Sequence, residues 1–191
     1  MAEQTDEEMV AAILAGEEEV FRDLVLRYQS RLVNYVYRIL HDYEEAHDLS
    51  QEVFLRIYRA LDRFDPKYRF STWLFRVAQN AAIDRIRKRR LKLVSMQRPD
   101  SSDRDGGEWD FPSDEAGPYS ELHNQERGVA IQRAIEELKE EYRELIVLRH
   151  FGDLSYDEIA ELKEMPLGTV KNKLFRGRQM LKKRLKEYLT E

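Results

Sequence analysis

The chain has 191 residues, 42% of them hydrophobic and 36% charged, with a formal net charge of −5 and no cysteine. That composition suits a folded, heavily solvated helical protein of one large or two small domains. The missing cysteine excludes disulfides, thiolate catalysis and Cys-type zinc sites. No apolar run approaches the ~20 residues that span a bilayer, and the acidic start "MAEQTDEEMV" is unlike a signal peptide, so a cytoplasmic protein is expected.

The first predicted helix opens on a capping box, Thr5 and Glu8, and Gly16 separates it from a long second helix ending near Leu40. A third helix is expected from about Glu44 to Phe64. On its wheel, Leu49, Val53, Ile57, Ala60, Leu61 and Phe64 share one face, which is core. Asp48, Gln51, Glu52 and Leu55 share the opposite face. They read either as a solvated acidic stripe with one stray leucine or as a docking patch for a basic partner. Carboxylates in such a row could also hold a metal, but His41, His47, His123 and His150 are scattered. No metal, cofactor, catalytic residue or small-molecule substrate is expected.

"DPKY" at Asp65 to Tyr68 breaks the pattern, because Pro66 cannot continue a helix. A fourth helix then starts at Ser71 or Thr72 and ends in the basic cluster "RIRKRR". Phe75, Ala78, Ala82 and Ile86 make its buried stripe, while Trp73, Arg76, Asn80, Asp84 and Arg87 fall on the other side. Trp73 could still be core, although an exposed aromatic among cations and amides is how proteins hold unstacked bases. The preceding loop adds Phe64, Lys67, Tyr68, Arg69 and Phe70, an interleaving of aromatic and basic groups suited to single strands.

From Ser95 to about Ser120 the texture changes to three prolines, three glycines, serines and many acids. Such a stretch buries too little apolar surface to fold alone and is expected to be a flexible linker. Fully extended it reaches about 80 Å, and two turns of B-DNA measure about 70 Å, so flanking modules could touch one DNA at separated points. Helical patterning resumes at about Glu121. There are no convincing strands and no repeats. The expected fold is all-α: one helical domain over residues 1–94, a linker over 95–120 and a second helical domain over 121–191.

Within the second domain, Leu154 to Leu181 reads "LSYDEIAELKEMPLGTVKNKLFRGRQML". Ser155 and Glu158 form a capping box, Tyr156, Ile159 and Ala160 a stripe, and Pro166 with Gly168 a restart. In the second helix Val170, Leu174, Leu181 and Leu185 share a face, leaving Lys171, Asn172, Lys173, Phe175 and Arg176 for the other side or its flank. Two short helices, the second basic, fit a helix-turn-helix whose second helix enters the major groove. The basic residues cluster at Arg85 to Lys92 and Lys171 to Lys186, and local sign outweighs the negative total when DNA is the partner.

"DLSQEVFLRIYRALDRF", "FSTWLFRVAQNAAIDRIRKRR" and the helix-turn-helix, in that order and with an acidic linker before the last, resemble the extracytoplasmic-function group of bacterial sigma-70 factors. The resemblance covers about Glu17 to Leu185. It implies regions 2 and 4 of a sigma subunit that binds core RNA polymerase, through its beta-prime and beta subunits, and directs it to promoters of a stress or envelope regulon. It places Asp48, Gln51, Glu52, Phe54 and Leu55 on the beta-prime coiled coil, although the wheel puts Phe54 nearer the core. It assigns Phe64, Lys67, Tyr68, Arg69, Phe70, Ser71, Thr72, Trp73, Arg76, Asn80 and Arg87 to recognising and melting the −10 element. Lys171, Asn172, Phe175 and Arg176 would read the −35 element, with Thr169 and Lys173 on phosphates. The linker would thread through the polymerase near the RNA exit. An anti-sigma factor, often membrane-anchored, is implied as a further partner that could hold the protein at the inner face of the membrane. Glu164 stands where the family often has glycine or asparagine, and Lys163 where it often has an apolar residue.

An ordinary helix-turn-helix regulator acting without core polymerase is the alternative. It accounts for the second module and leaves the acidic face and aromatic-basic loop of the first unexplained. A metal-dependent nuclease has no clustered His/Asp/Glu signature behind it.

Overall fold

The structure is a computed structural model that describes residues 4–95 and 128–188. The predicted linker falls almost wholly outside the described residues. Among them every regular element is helical.

Helix α1 (Asp6–Leu14) starts on the expected capping box: Thr5 Oγ1 accepts from Glu8 N at 3.2 Å and Thr5 N donates to Glu8 Oε2 at 2.8 Å. Helix α2 (Val20–Leu40) buries Leu24, Tyr28, Leu32, Val33, Tyr35 and Val36, and stops where His41 turns left-handed at φ 58°. Helix α3 (Tyr43–Arg59) is capped by Asp42, whose side chain accepts from Glu45 N. It ends earlier than the apolar spacing predicts. Ala60 leaves helical geometry at φ −114°, and Leu61–Arg63 form a single 3-10 turn. Leu61 stays buried across that break, which is why the stripe looks continuous in the sequence. A turn over Asp65–Tyr68, in which Lys67 N donates to Asp65 Oδ1, leads into α4 (Phe70–Ser95).

Residues 128–136 form α5, followed by α6 (Glu140–His150), α7 (Tyr156–Leu162) and α8 (Leu167–Tyr188). The chain sorts into two compact units, one comprising the chain through α4 together with residues 147–167, the other comprising the described residues 128–146 and 168–188.

In the first unit Leu24, Leu32, Leu49, Ile57, Phe70, Leu74 and Phe75 are fully buried, as are Leu148, Leu154 and Ile159. Tyr28 packs on Phe70 and Tyr35 on Phe75, with ring centroids 5.6 and 5.2 Å apart. Tyr28 also donates its hydroxyl to Asp6, and Arg27 pairs with the same carboxylate at 2.6 Å, which ties α1 to α2. Burial and the Asp6 carboxylate both push the Tyr28 phenol far above its ordinary value, so it stays protonated.

In the second unit Ala134, Ile135, Leu138, Tyr142, Leu145 and Ile146 are buried, together with Val170 and Leu174 of α8. Gly177 extends the α8 stripe. A Cβ there would lie 3.1 Å from Ile146 Cγ1, so glycine permits the close approach of α8 to α6.

Helix α7 has the expected capping box, Ser155 N to Glu158 Oε2 at 2.7 Å and Glu158 N to Ser155 Oγ at 3.2 Å. It closes in a Schellman motif: Met165 N reaches Ala160 O at 3.0 Å and Glu164 N reaches Glu161 O at 3.3 Å, with Glu164 left-handed at φ 51°. A side chain with a Cβ is strained there by about 1–2 kcal/mol. Its ion pair with Arg76, 3.8 Å long and 83% exposed on the glutamate side, offers little in return. Glu164→Asn should raise the melting temperature by about 2–4 °C, the effect of roughly 1 kcal/mol in a protein of this size, read by circular dichroism. A lower melting temperature would show that the turn carries no strain.

Candidate nucleic-acid and docking interfaces

The outward face of α3 follows the expected wheel. Asp48, Gln51, Glu52 and Leu55 are exposed, Leu55 at 54%, while Phe54 is buried at 7% and lies with the core. The face is held in place from α4. Arg85 donates to Glu52 Oε1 at 2.9 Å and to Glu45 at 3.4 Å, and Arg89 lies 3.2 Å from Glu45 and 3.8 Å from Asp42. Arg56 pairs with Glu52 one turn away at 3.6 Å. Sequence patterning gives no role to Arg85 and Arg89 beyond a basic cluster. Their function as rungs between α3 and α4 depends on a packing that periodicity does not reveal.

The loop and the start of α4 divide into buried and open groups. Phe70, Ser71 and Thr72 are buried. Phe64 and Trp73 are half-buried and pack with ring centroids 5.4 Å apart, each against Phe70. Trp73 is therefore neither a core residue nor a free platform, but the outer ring of an aromatic stack. Lys67, Tyr68, Asn80 and Arg87 are exposed; Lys67 lies 6.0 Å from the Tyr68 ring and Arg87 pairs with Asp84 at 3.2 Å. A cavity of about 160 Å³ opens beside the stack, with Phe64, Tyr68, Thr72, Trp73, Arg76 and Glu161 among its walls.

Three polar groups of this face meet α7 and its flanks. Arg69 donates to Ser155 Oγ at 3.3 Å and lies 3.9 Å from Glu158, Ser71 donates to Glu158, and Arg76 donates to the Glu161 carbonyl at 3.4 Å. Burial alone would push the Glu158 carboxyl up, but hydrogen bonds from Ser155 and Ser71 and the Arg69 charge hold it below its ordinary value.

On α8, Lys171, Asn172, Phe175 and Arg176 are exposed, Phe175 at 62%, while Val170 and Leu174 turn inward. Thr169 and Lys173 are half-buried on the flank, and Lys173 donates to Glu141 at 2.8 Å. That bond and the Lys173 charge hold the Glu141 carboxyl below its ordinary value. The exposed set puts cations, an amide and an aromatic ring on the outward side of α8. Lys182 and Lys183 are exposed further along. Among the described residues no group of acids and histidines could hold a metal, and no helix is long and apolar enough to cross a membrane.

Residues 24–92 match the family model of Sigma-70 region 2 and residues 128–181 that of Sigma-70 region 4. The RNA polymerase sigma-H factor of Pseudomonas aeruginosa is 32% identical over 100% of this chain and 99% of its own length. The ECF RNA polymerase sigma-E factor of Escherichia coli is 36% identical over 95% of each. The fold resembles that of CnrH in complex with the cytosolic domain of CnrY, with a TM-score of 0.68 at 22% identity, covering 96% of this chain and 99% of that one.

The lowered Glu158 carboxyl gives a pH dependence. Its contribution to stability is complete above its ordinary value of 4.5 and is lost as pH falls through the lowered folded value. Glu158→Gln, which can still cap, should cost about 1.5 kcal/mol or more at pH 7, the scale of a hydrogen bond to a charged group. Thermal melts of both proteins from pH 7 to pH 3 should show this difference shrinking with acid. A constant difference would mean that the charge contributes nothing.

Proposed function

The chain belongs to the extracytoplasmic-function group of the sigma-70 family of RNA polymerase sigma factors, and on that footing we propose how its surfaces divide the work of starting transcription at a promoter. Residues 1–94 are the region 2 module, 95–120 the tether and 121–191 the region 4 module. Asp48, Gln51, Glu52 and Leu55 dock on the beta-prime subunit of core polymerase. An exposed leucine ringed by acids gives a basic partner both an apolar anchor and charge complementarity. Phe54, buried beneath them, supports the face from inside.

The aromatic stack of Phe64, Phe70 and Trp73, with Lys67, Tyr68, Arg69, Arg76, Asn80 and Arg87 around it, receives unpaired bases and backbone of the −10 element. Ser71 and Thr72 serve the same face from its buried side. Lys171, Asn172, Phe175 and Arg176 read the −35 element in the major groove, and Thr169 and Lys173 hold phosphates. The work is binding rather than catalysis. CnrH is seen with the cytosolic domain of CnrY. By analogy this chain takes an anti-sigma partner that keeps it in the cytoplasm, at the inner face of the membrane.

The observation that carries this reading is the presence, in one chain, of an exposed acidic face around Leu55 and a recognition helix whose Lys171, Asn172 and Arg176 face solvent. The test is reconstitution: core polymerase, the chain and a promoter library should yield specific runoff transcripts. DNA binding by the chain alone with no such transcripts would favour a free-standing helix-turn-helix regulator.

Two residue-level outcomes follow. Leu55→Ala and Glu52→Lys should leave circular dichroism unchanged and reduce co-purification with core polymerase about ten-fold, the effect of roughly 1.4 kcal/mol. Normal co-purification of both would return the face to solvent. Arg176→Ala should relax base preference at one or two upstream positions, whereas Lys183→Ala should weaken binding evenly and flatten the salt dependence by about one unit of slope. Selection over randomised upstream DNA at two salt concentrations reads both, and unchanged base preference in Arg176→Ala would remove that residue from direct readout.

A further inference from the structure

The basic end of α4 is divided by its helical spacing. Arg85 and Arg89 are four residues apart and share the side that meets α3, while Arg87 and Lys88 are exposed on another. Arg85 donates to Glu52 Oε1 at 2.9 Å and to Glu45 Oε1 at 3.4 Å. Arg89 lies 3.2 Å from Glu45 and 3.8 Å from Asp42. Arg56 pairs with Glu52 from within α3 at 3.6 Å. Asp42, Glu45 and Glu52 are thus matched by Arg56, Arg85 and Arg89, and the cluster carries no formal net charge.

The cluster is a brace rather than a set of loose surface pairs. The Arg85 side chain is only 27% exposed and that of Glu45 only 17%, with Glu45 Oε2 closed to water. Asp42 caps α3 through Glu45 N, so Arg89 grips the turn in which that helix starts. Isolated exposed pairs hold weakly, but several charges joined in one network fix the geometry of their members. A phosphate would have to take Arg85 from two carboxylates at once. Arg87, by contrast, has a side chain 70% exposed and pairs with Asp84 on its own helix.

Glu52 is the acid of this network that also stands on the outward face of α3, beside Asp48, Gln51 and Leu55. A glutamate left to itself loses rotamer freedom when a partner fixes it, and that loss weakens binding. Held from α4, Glu52 meets a partner already ordered.

We propose that Arg85, with Arg89 behind it, is a positioning residue for core polymerase and not a DNA contact: it holds Glu52 in the conformation that the beta-prime subunit meets. This rests on the assignment of the α3 face to that subunit made above. Charge alone predicts the opposite sign. An arginine beside an acidic face repels a basic partner, so its removal would then strengthen binding.

Affinity for core polymerase is read by competition of each full-length variant against the labelled unsubstituted chain. Arg85→Ala should weaken binding about three- to ten-fold, the effect of leaving one long side chain to be ordered on docking. Unchanged or stronger binding overturns the positioning. In a Glu52→Ala background the effect of Arg85→Ala should fall below about two-fold, because the side chain it acts through is gone. An undiminished effect there means that Arg85 only supports the fold, and overturns the proposal. Arg85→Lys keeps the charge but not the two-pronged grip, so it should fall between. It carries the test if Arg85→Ala fails to fold. With core in excess, Arg85→Ala should leave the salt dependence of DNA binding by the assembled holoenzyme unchanged on a randomised promoter pool. A slope flattened by about one unit would make Arg85 a phosphate contact and overturn its exclusion from DNA. Leu55→Ala and Glu52→Ala in the same competition separate the two readings. If both leave affinity unchanged, the assignment of the face to core polymerase falls and takes the positioning with it. If both weaken it while Arg85→Ala does not, the positioning alone falls.

Discussion

The burial of Phe70, Leu74 and Phe75 against α2 is the constraint on which the rest of the first unit depends. All three are fully buried, and the Tyr28 and Tyr35 rings lie 5.6 and 5.2 Å from Phe70 and Phe75. Each buried phenylalanine contributes about 1.5–3 kcal/mol, and together they fix the rotation of α4 about its axis. With that rotation set, Arg76, Asn80 and Arg87 have no choice but to face away from α2. Phe64 and Trp73 stack on Phe70 from outside, so the aromatic part of the candidate DNA face extends the hydrophobic core. The same Phe75 ring receives Gly152, so one side chain bears on α2, α4 and the loop before α7.

Charge is organised by pairing more than by total. The chain is acidic overall, yet the basic stretch at the end of α4 does not simply await DNA. Arg85 and Arg89 are engaged with Asp42, Glu45 and Glu52. Those pairs orient the acidic face of α3 while leaving Asp48, Gln51 and Leu55 open. On α8 the division is sharper, since Lys173 is tied to Glu141 while Lys171 and Arg176 are exposed. Partly exposed pairs contribute about 0–1 kcal/mol each, so exchanging such a carboxylate for a phosphate costs little. A basic cluster in a sequence therefore counts cations without saying which ones are already engaged.

Much of this was legible beforehand, because it follows from local chemistry. The two capping boxes, Thr5 with Glu8 and Ser155 with Glu158, mark helix starts through bonds that span three residues. The division of α3 into a core face and an open face needed only the helical period, which also placed Phe54 inward. Apolar spacing alone misplaces the end of α3, because Leu61 keeps that spacing while the backbone changes to a 3-10 turn. What escaped was non-local. The bond from Ser71 to Glu158 joins residues 87 apart, and that from Arg31 to Gly152 residues 121 apart. No period encodes either. Glu164 is unusual for its turn, and it adopts the left-handed backbone that glycine would take more easily.

Glu158 shows how one residue can serve a helix cap and a long-range contact without making either depend on the other. Its Oε2 accepts from Ser155 N, and its own N donates to Ser155 Oγ; both bonds lie within the first turn of α7. Its Oε1 is the oxygen that takes the Ser71 hydroxyl. Loss of the Ser71 contact leaves the capping box whole, and Oε1 returns to water. The bonds that begin and end α7 are thus local to it: the capping box at its start and the Schellman turn through Met165 at its end. Because the two contacts use different oxygens of one carboxylate, the start of α7 is set by its own first turn whatever the Ser71 hydroxyl does.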